Sequence, residues 1–212
     1  KFKNRPGKAS FWQMNLSDFS FSALGNPIID LSSFDCGRAD INDFFRNEAL
    51  DYQKELFGKT YLFSPRNNLN TVAAAFTVAN ASIFTRLLPN SRQKKIGYEI
   101  RHSKGQINYP AVLLGRLGVD VRFSGFKLGQ QIVEFVAQWF AGTENKSGCR
   151  HLIVDAYNED WLIKFYNGCG LKPIFGNELQ ERKYRQIDEE FPLETRLLYR
   201  DLILLRRESI RR

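Results

Sequence analysis

This 212-residue chain is poor in the features that staple or anchor a protein. Its three cysteines, Cys36, Cys149 and Cys169, stand far apart and form no CxxC pair. An odd, scattered set excludes a disulfide framework and offers no zinc site, so no metal is expected. No apolar run approaches the roughly 20 residues that span a bilayer, so no membrane partner is expected either. The opening KFKNRPGKASFWQ has no apolar h-region and does not read as a secretory signal. Internal repeats and low-complexity tracts are missing. Together these absences leave a reducing, cytoplasmic setting as the expectation.

Acidic residues are the other shortage. Asp and Glu number 23 against 31 Lys and Arg, a net charge of +8. Such an excess favours an anionic partner without identifying it. The imbalance is local. Arg86, Arg92, Lys94, Lys95, Arg101, Lys104, Arg116, Arg122 and Lys127 face only Glu99 and Asp120 in the same span. What remains is ordinary for a globular protein: 43% hydrophobic residues and 14% aromatics, enough for a sizeable core. The expected organisation is a basic arm over 1–17, one domain over 18–205 with a charged insertion near 176–190, and a basic tail over 206–212.

The hydrophobic pattern predicts a mixed α/β sheet. Residues near Phe19 to Ala23 read as a first strand. In "DLSSFDCGRADINDFFRNEALDYQKELFG", Ile41, Phe44, Phe45 and Ala49 share a helical face, with Asp40 as the expected N-cap. "KTYLFS" and "TVAAAFTVAN" read as a hairpin around the turn "PRNNLN". A short helix is expected from Ser82 to Leu88, then a long basic connection from Pro89 to Tyr109. "YPAVLLGRLGVDV" reads as an interior strand covered on both faces. Leu128, Ile132, Phe135, Val136 and Trp139 recur at helical spacing after it. "CRHLIVDAY" reads as a strand, "NEDWLIKFYNG" as a helix stopped by Gly168 and Gly170, and "LKPIF" and "TRLLYRDLILL" as the closing strands.

Read by themselves, the chemical residues keep two readings. Gly125 to Gly129 is a plain strand-to-helix turn or a helix N-terminus that cradles an anion. Tyr166 is a core aromatic beside Phe165 or a proton donor. Asn158 is a ligand contact or a helix cap. Arg116, inside an apolar strand, needs a carboxylate if buried, or faces a groove. Cys169, with no neighbouring His or Lys in sequence, reads as a small buried thiol. Glu99, Asp120 and His102 are available carboxylates or imidazoles, but no spacing selects one as a general base. His151 reads as the start of a strand. Tyr98 and Tyr109 flank the basic run and are placed to stack on bases, against the plainer reading of a solvated loop.

Taken together, "LLGRLGVDV", "RFSGFKLG", "LIVDAYNED" and "FYNGCGL" resemble the core of the Gcn5-related N-acetyltransferases, the GNAT family. The front block "FDCGRADINDFF" is similar to a subgroup that includes toxins of bacterial toxin–antitoxin modules, which acetylate aminoacyl-tRNA. The resemblance spans about Phe19 to Leu205. It implies a mostly antiparallel sheet with splayed central strands, acetyl-CoA as co-substrate, and direct attack by a primary amine in a ternary complex. Aminoacyl-tRNA is then the sharpest acceptor, and an antitoxin and a homodimer are partners left open. The main chain at Leu117, Gly118 and Val119 would pair with the pantetheine arm, Gly118 marking a bulge or a close backbone approach. Arg122, Ser124, Gly125, Phe126, Lys127, Leu128 and Gly129 would form the pyrophosphate turn. Tyr166 would serve as general acid toward sulfur, and Asn158 would contact the coenzyme. Lys127 departs from the family's Gln/Arg-x-x-Gly-x-Gly/Ala pattern; a negative φ there would accommodate it. The rival reading is a non-catalytic module on the same fold that binds acetyl-CoA or nucleic acid.

Overall fold

A computed structural model describes residues 14–26, 28–97 and 108–210. Much of the basic connection, with Tyr98, Glu99, Arg101, His102 and Lys104, lies outside the described residues.

Seven strands form one sheet in the order β1-β2-β3-β4-β5-β7-β6. These are β1 (Phe19–Ala23), β2 (Lys59–Pro65), β3 (Ala74–Phe84), β4 (Asn108–Val119), β5 (His151–Tyr157), β6 (Lys172–Pro173) and β7 (Thr195–Asp201). Every pairing is antiparallel except β4 with β5. That parallel pair requires a crossover, supplied by α4 (Leu128–Ala141). Leu128, Ile132, Val133, Val136 and Ala137 of α4 are buried against Val112, Leu114, Leu152 and Val154 of the sheet. Each fully buried aliphatic side chain contributes about 1.5–3 kcal/mol, so this seam anchors the fold.

The opposite face of the sheet carries two separate cores. One lies under the front helix, α1 (Ala39–Asp43) and α2 (Ala49–Lys54) joined by a π turn at Phe44–Glu48, and holds Phe34, Phe44, Phe45 and Leu62. The other gathers Ile96 of α3 (Asn90–Gly97) with Ile153, Phe175 and Tyr199. A cleft remains between them.

The central strands part. β4 pairs with β5 only through Ala111–Leu113 against His151–Ile153. Beyond that point β4 stays with β3 and β5 stays with β7. The β3–β4 register shifts between Thr77, opposite Arg116, and Val78, opposite Leu114. Gly115 is therefore the extra residue of a β-bulge, which bends β4 away.

Several local expectations are corrected. No helix forms from Ser82 to Leu88. β3 runs on to Phe84, because Ser82, Ile83 and Phe84 pair with Pro110, Tyr109 and Asn108, and only Thr85–Leu87 makes a 3-10 turn. The connection after Pro89 holds α3. Asp40 is not the cap: the helix begins at Ala39, after Arg38. β6 is only Lys172–Pro173, since Ile174 and Phe175 turn into the core. β7 stops at Asp201, whose carboxylate accepts from the N–H of Ile203 (3.1 Å) and starts α7 (Ile203–Ile210). The charged insertion contains α6 (Glu178–Arg185). Among the described residues no helix is long and apolar enough to cross a membrane.

Candidate active site

The parting of β4 and β5 opens a cavity of about 340 Å³. It passes through the sheet. On the α4 side it is lined by Leu128, Gly129, Phe165 and Tyr166, the last two from α5 (Asp160–Gly168). On the other side it meets Cys36, Arg38 and Ile41 of the front segment. Leu117, Gly118 and Val119 form one edge, and Val154 to Tyr157 the other.

Main-chain direction at this edge follows from one bond. The N–H of Asp120 donates to Ala73 O beside β3 (2.9 Å). Groups alternate along a strand, so Gly118 also faces β3, while Leu117 and Val119 turn their N–H and C=O into the gap. These two residues have lost a strand partner and can accept another extended chain. Gly118 has a different reason for being glycine. A Cβ there would come within 3.1 Å of Phe34 and Cys36, so the front segment packs directly on it, and the bulge falls at Gly115 instead.

The turn from Ser124 to Gly129 closes one end. Gly125 has φ +85° with open space around its Cα, so its conformation is what calls for glycine. Lys127 also lies in the left-handed region (φ 56°, ψ 25°), against the expected negative φ. The first intrahelical bond of α4 runs from Gln131 N–H to Lys127 O (3.1 Å), leaving the N–H groups of Leu128, Gly129 and Gln130 without helical partners. Gly129 lets α5 approach, since a Cβ would meet Phe165 at 3.2 Å. Ser124, Gly125, Lys127, Leu128 and Gly129 line the cavity. The arrangement offers converging donors and a positive helix end, suited to an anion.

Two residues of the expected set turn elsewhere. The Arg122 guanidinium grips Asp120 through Nε and Nη2 (both 2.7 Å). Phe126 packs on the core, and its carbonyl accepts from Gln131 (3.1 Å). Asn158 is also displaced from the cavity. Its amide donates to Glu178 (3.1 Å) and Leu193 O (3.0 Å), fastening the insertion, while Glu159 occupies the helix cap position.

Tyr166 is 7% exposed and lies edge-on to Phe165 at 5.0 Å between centroids. Burial, then the nearby Cys169, push its phenol well above the ordinary tyrosine value, so it stays protonated at neutral pH. The Cys169 thiol is itself pushed up to about 11, chiefly by burial, and stays neutral. Asp120 is fully buried. Burial pushes its carboxyl up, but hydrogen bonds from the Arg122 side chain, Arg122 N–H and Asp35 N–H outweigh it and hold the group below 3.8. Asp120 is thus a structural carboxylate. Arg116 takes the second of its expected places: it lines the cavity, its guanidinium stacked 3.8 Å above the Phe44 ring rather than paired with a carboxylate. Buried His151 begins β5 between Tyr109 and Tyr199, outside the cavity.

Sequence reading missed Arg38, Asp155, Tyr157 and Trp161. Arg38 stands at the start of α1 without capping it; its guanidinium lies 4.2 Å from the Tyr157 ring centre and pairs with Glu159 (2.9 Å). Tyr157 hydrogen-bonds Asp40, and Trp161 Nε1 donates to Glu159 (2.7 Å). These contacts clasp the front helix to the β5–α5 corner. Period-two alternation along "HLIVDAY" was the available signal, since it puts Asp155 and Tyr157 on one face.

Bulged β4, the gap beside β5, the crossover helix with its open N-terminus and the buried tyrosine of α5 define a GNAT fold. No protein-family model matches the chain. Solved structures do. A tyrosine-to-phenylalanine mutant of KacT aligns over 90% of this chain and 99% of its own at 20% identity and TM-score 0.68. AtaT complexed with acetyl-methionyl-tRNAfMet aligns over 91% and 99% at 22% identity and TM-score 0.68. AtaTR bound with acetyl-CoA aligns over 91% and 99% at 18% identity and TM-score 0.63.

Proposed function

We propose that this protein transfers acetyl from acetyl-CoA to a primary amine, and that the amine is borne by aminoacyl-tRNA. The observation that carries the reading is the gap between β4 and β5, with the Leu117 and Val119 main chain turned into it and Tyr166 in its wall. A pantetheine arm laid in this gap pairs with those groups as an added strand. The α4 N-terminus, Gly125 and the Lys127 ammonium receive the pyrophosphate. Bound this way, the coenzyme supplies an activated acetyl thioester. A main-chain N–H beside the bulge polarises the carbonyl, a contribution of about 2.7–4 kcal/mol for one such donor. Tyr166 hands its proton to the departing sulfur. The thiols near the cavity are protonated, which favours direct attack over a covalent enzyme intermediate. Support for the acceptor comes from the +8 charge, from Arg38 and Arg116 at the cavity, and from the tRNA-bound AtaT neighbour.

The test is transfer of labelled acetyl from acetyl-CoA to total aminoacylated tRNA, beside a panel of protein N-termini, lysines and polyamines. Wild-type protein should label aminoacyl-tRNA. Tyr166→Phe should lower turnover by roughly 10²–10⁴ while keeping the thermal midpoint. Acetyl-CoA binding without transfer to any amine would establish the non-catalytic module instead.

A further inference from the structure

Resting on the transferase reading above, we propose that Asp155 holds the acceptor amine and takes the proton it must lose before attack. Among the described residues lining the cavity, Asp155 is the one carboxylate. The acidic groups around it are already committed. Asp120 is locked to Arg122, Asp40 to Tyr157, and Glu159 to Arg38 and Trp161.

Its position suits the chemistry. Val154 and Ala156 point into the α4 core, so Asp155 points to the other face of β5, across the gap from Tyr166. Acid and base then stand on opposite sides of an arm threaded between the strands. Attack on a thioester is served by two separate groups, because nitrogen loses protons while sulfur gains one, and the two atoms occupy different corners of the tetrahedral adduct.

The carboxylate is also held in place. Arg185 of α6 donates to both its oxygens (2.7 and 3.2 Å). Arg185 is itself fixed by Glu181 (3.0 Å), which is fully buried and accepts from Arg196 Nε (2.7 Å) and Leu197 N–H (2.6 Å). Each carboxylate oxygen keeps lone-pair capacity beyond its Arg185 bond. The charged insertion thereby acquires a role: Arg185 is a positioning residue that aims Asp155 at the cleft.

The protons balance as follows. The acceptor arrives as an ammonium hydrogen-bonded to Asp155 and yields one proton through it to bulk water. The neutral nitrogen attacks the carbonyl carbon, the C–S bond breaks, and its electron pair leaves on sulfur. The adduct nitrogen, now strongly acidic, sheds its second proton to water, and sulfur takes one from Tyr166. Tyr166 then restores itself through solvent, so one proton is released per acetyl transferred.

The experiment compares Asp155→Asn with wild type on an amino-acid methyl ester and on hydroxylamine, which is mostly unprotonated at pH 7. Loss of the base should lower kcat/KM on the ester by roughly 10²–10⁴. It should cost hydroxylamine far less and leave acetyl-CoA affinity by calorimetry unchanged. Equal losses on the two amines, an unchanged ester rate, or a weakened coenzyme complex overturns the assignment. If Asp155→Asn does not fold, Asp155→Glu gives the reading: a loss confined to the ester supports it, and a uniform loss rejects it. A wild-type protein that binds acetyl-CoA yet acylates neither these amines nor aminoacyl-tRNA overturns the transferase reading itself, and Asp155 with it.

Discussion

At Lys127 the chain adopts a left-handed conformation that costs a non-glycine residue about 1–2 kcal/mol. The side chain is exposed at the cavity, beside the α4 N-terminus proposed above to receive the pyrophosphate. Strain and charge pull in opposite directions, so substitution separates them. Lys127→Gly should raise the thermal midpoint, because glycine relieves the φ of 56°, and should weaken acetyl-CoA by about fivefold or less at low salt, the scale of an exposed ion pair. Scanning fluorimetry and calorimetry read the two effects separately. Arg122 carries the complementary lesson. Its position matched an anion-binding motif, but Asp120 lies two residues away and captures the guanidinium with paired bonds. A motif ranks residue types along a line and is silent about a nearby competitor.

Among the elements, the turn from β4 to α4 and the front segment are pinned together at one carboxylate. Asp120 accepts from Arg122 and from Asp35 N–H (3.1 Å), while Val121 N–H donates to Asp35 O (2.8 Å). Because its folded pKa lies below 3.8, its stabilisation is present above that value and is lost as pH falls through the lower folded value. His151 acts earlier on the same descent. Burial, partly offset by Asp201, depresses its folded pKa to about 4, so stability declines between the ordinary 6.5 and 4 as the unfolded chain takes up a proton first. Urea unfolding from pH 7 to pH 3 should therefore show two losses. Asp120→Asn should cost about 2 kcal/mol at pH 7 and shrink only the more acidic loss, part of which belongs to other depressed carboxylates such as Glu134. Helix α4 and strand β5 were legible from their periods of 3.6 and 2, since each buries one continuous face. The Ser82–Leu88 segment was not, because pairing with β4 outweighs its local preference.

Across the whole molecule, the net charge of +8 meets a cavity rimmed by Arg38, Arg116 and Lys127. If an RNA acceptor docks there, its phosphates release counterions. Neutralising about four of them should cut affinity roughly 100-fold between 50 and 200 mM salt. Filter binding of aminoacylated tRNA across that range checks this, and a flat profile would remove RNA as the partner. The clasp from Arg38 and Asp40 to the β5–α5 corner couples this entrance to the helix that bears Tyr166. A ligand that separates the front helix from that corner must therefore break these contacts.

Residue order alone dictates which faces are buried, where the crossover helix begins, and that a glycine turn and a tyrosine flank a central strand. Those properties are local, carried by side-chain spacing and backbone freedom. Long-range packing sets the rest: β4 bulges at Gly115 and leaves β5 after Leu113, the main chain of Leu117 and Val119 faces the gap, and Arg122 closes on Asp120. The same packing folds α6 back so that Arg185 holds Asp155 at the cavity that Tyr166 also lines. These features depend on contacts between segments far apart in the chain, and their geometry exists only once the strands have paired and then parted.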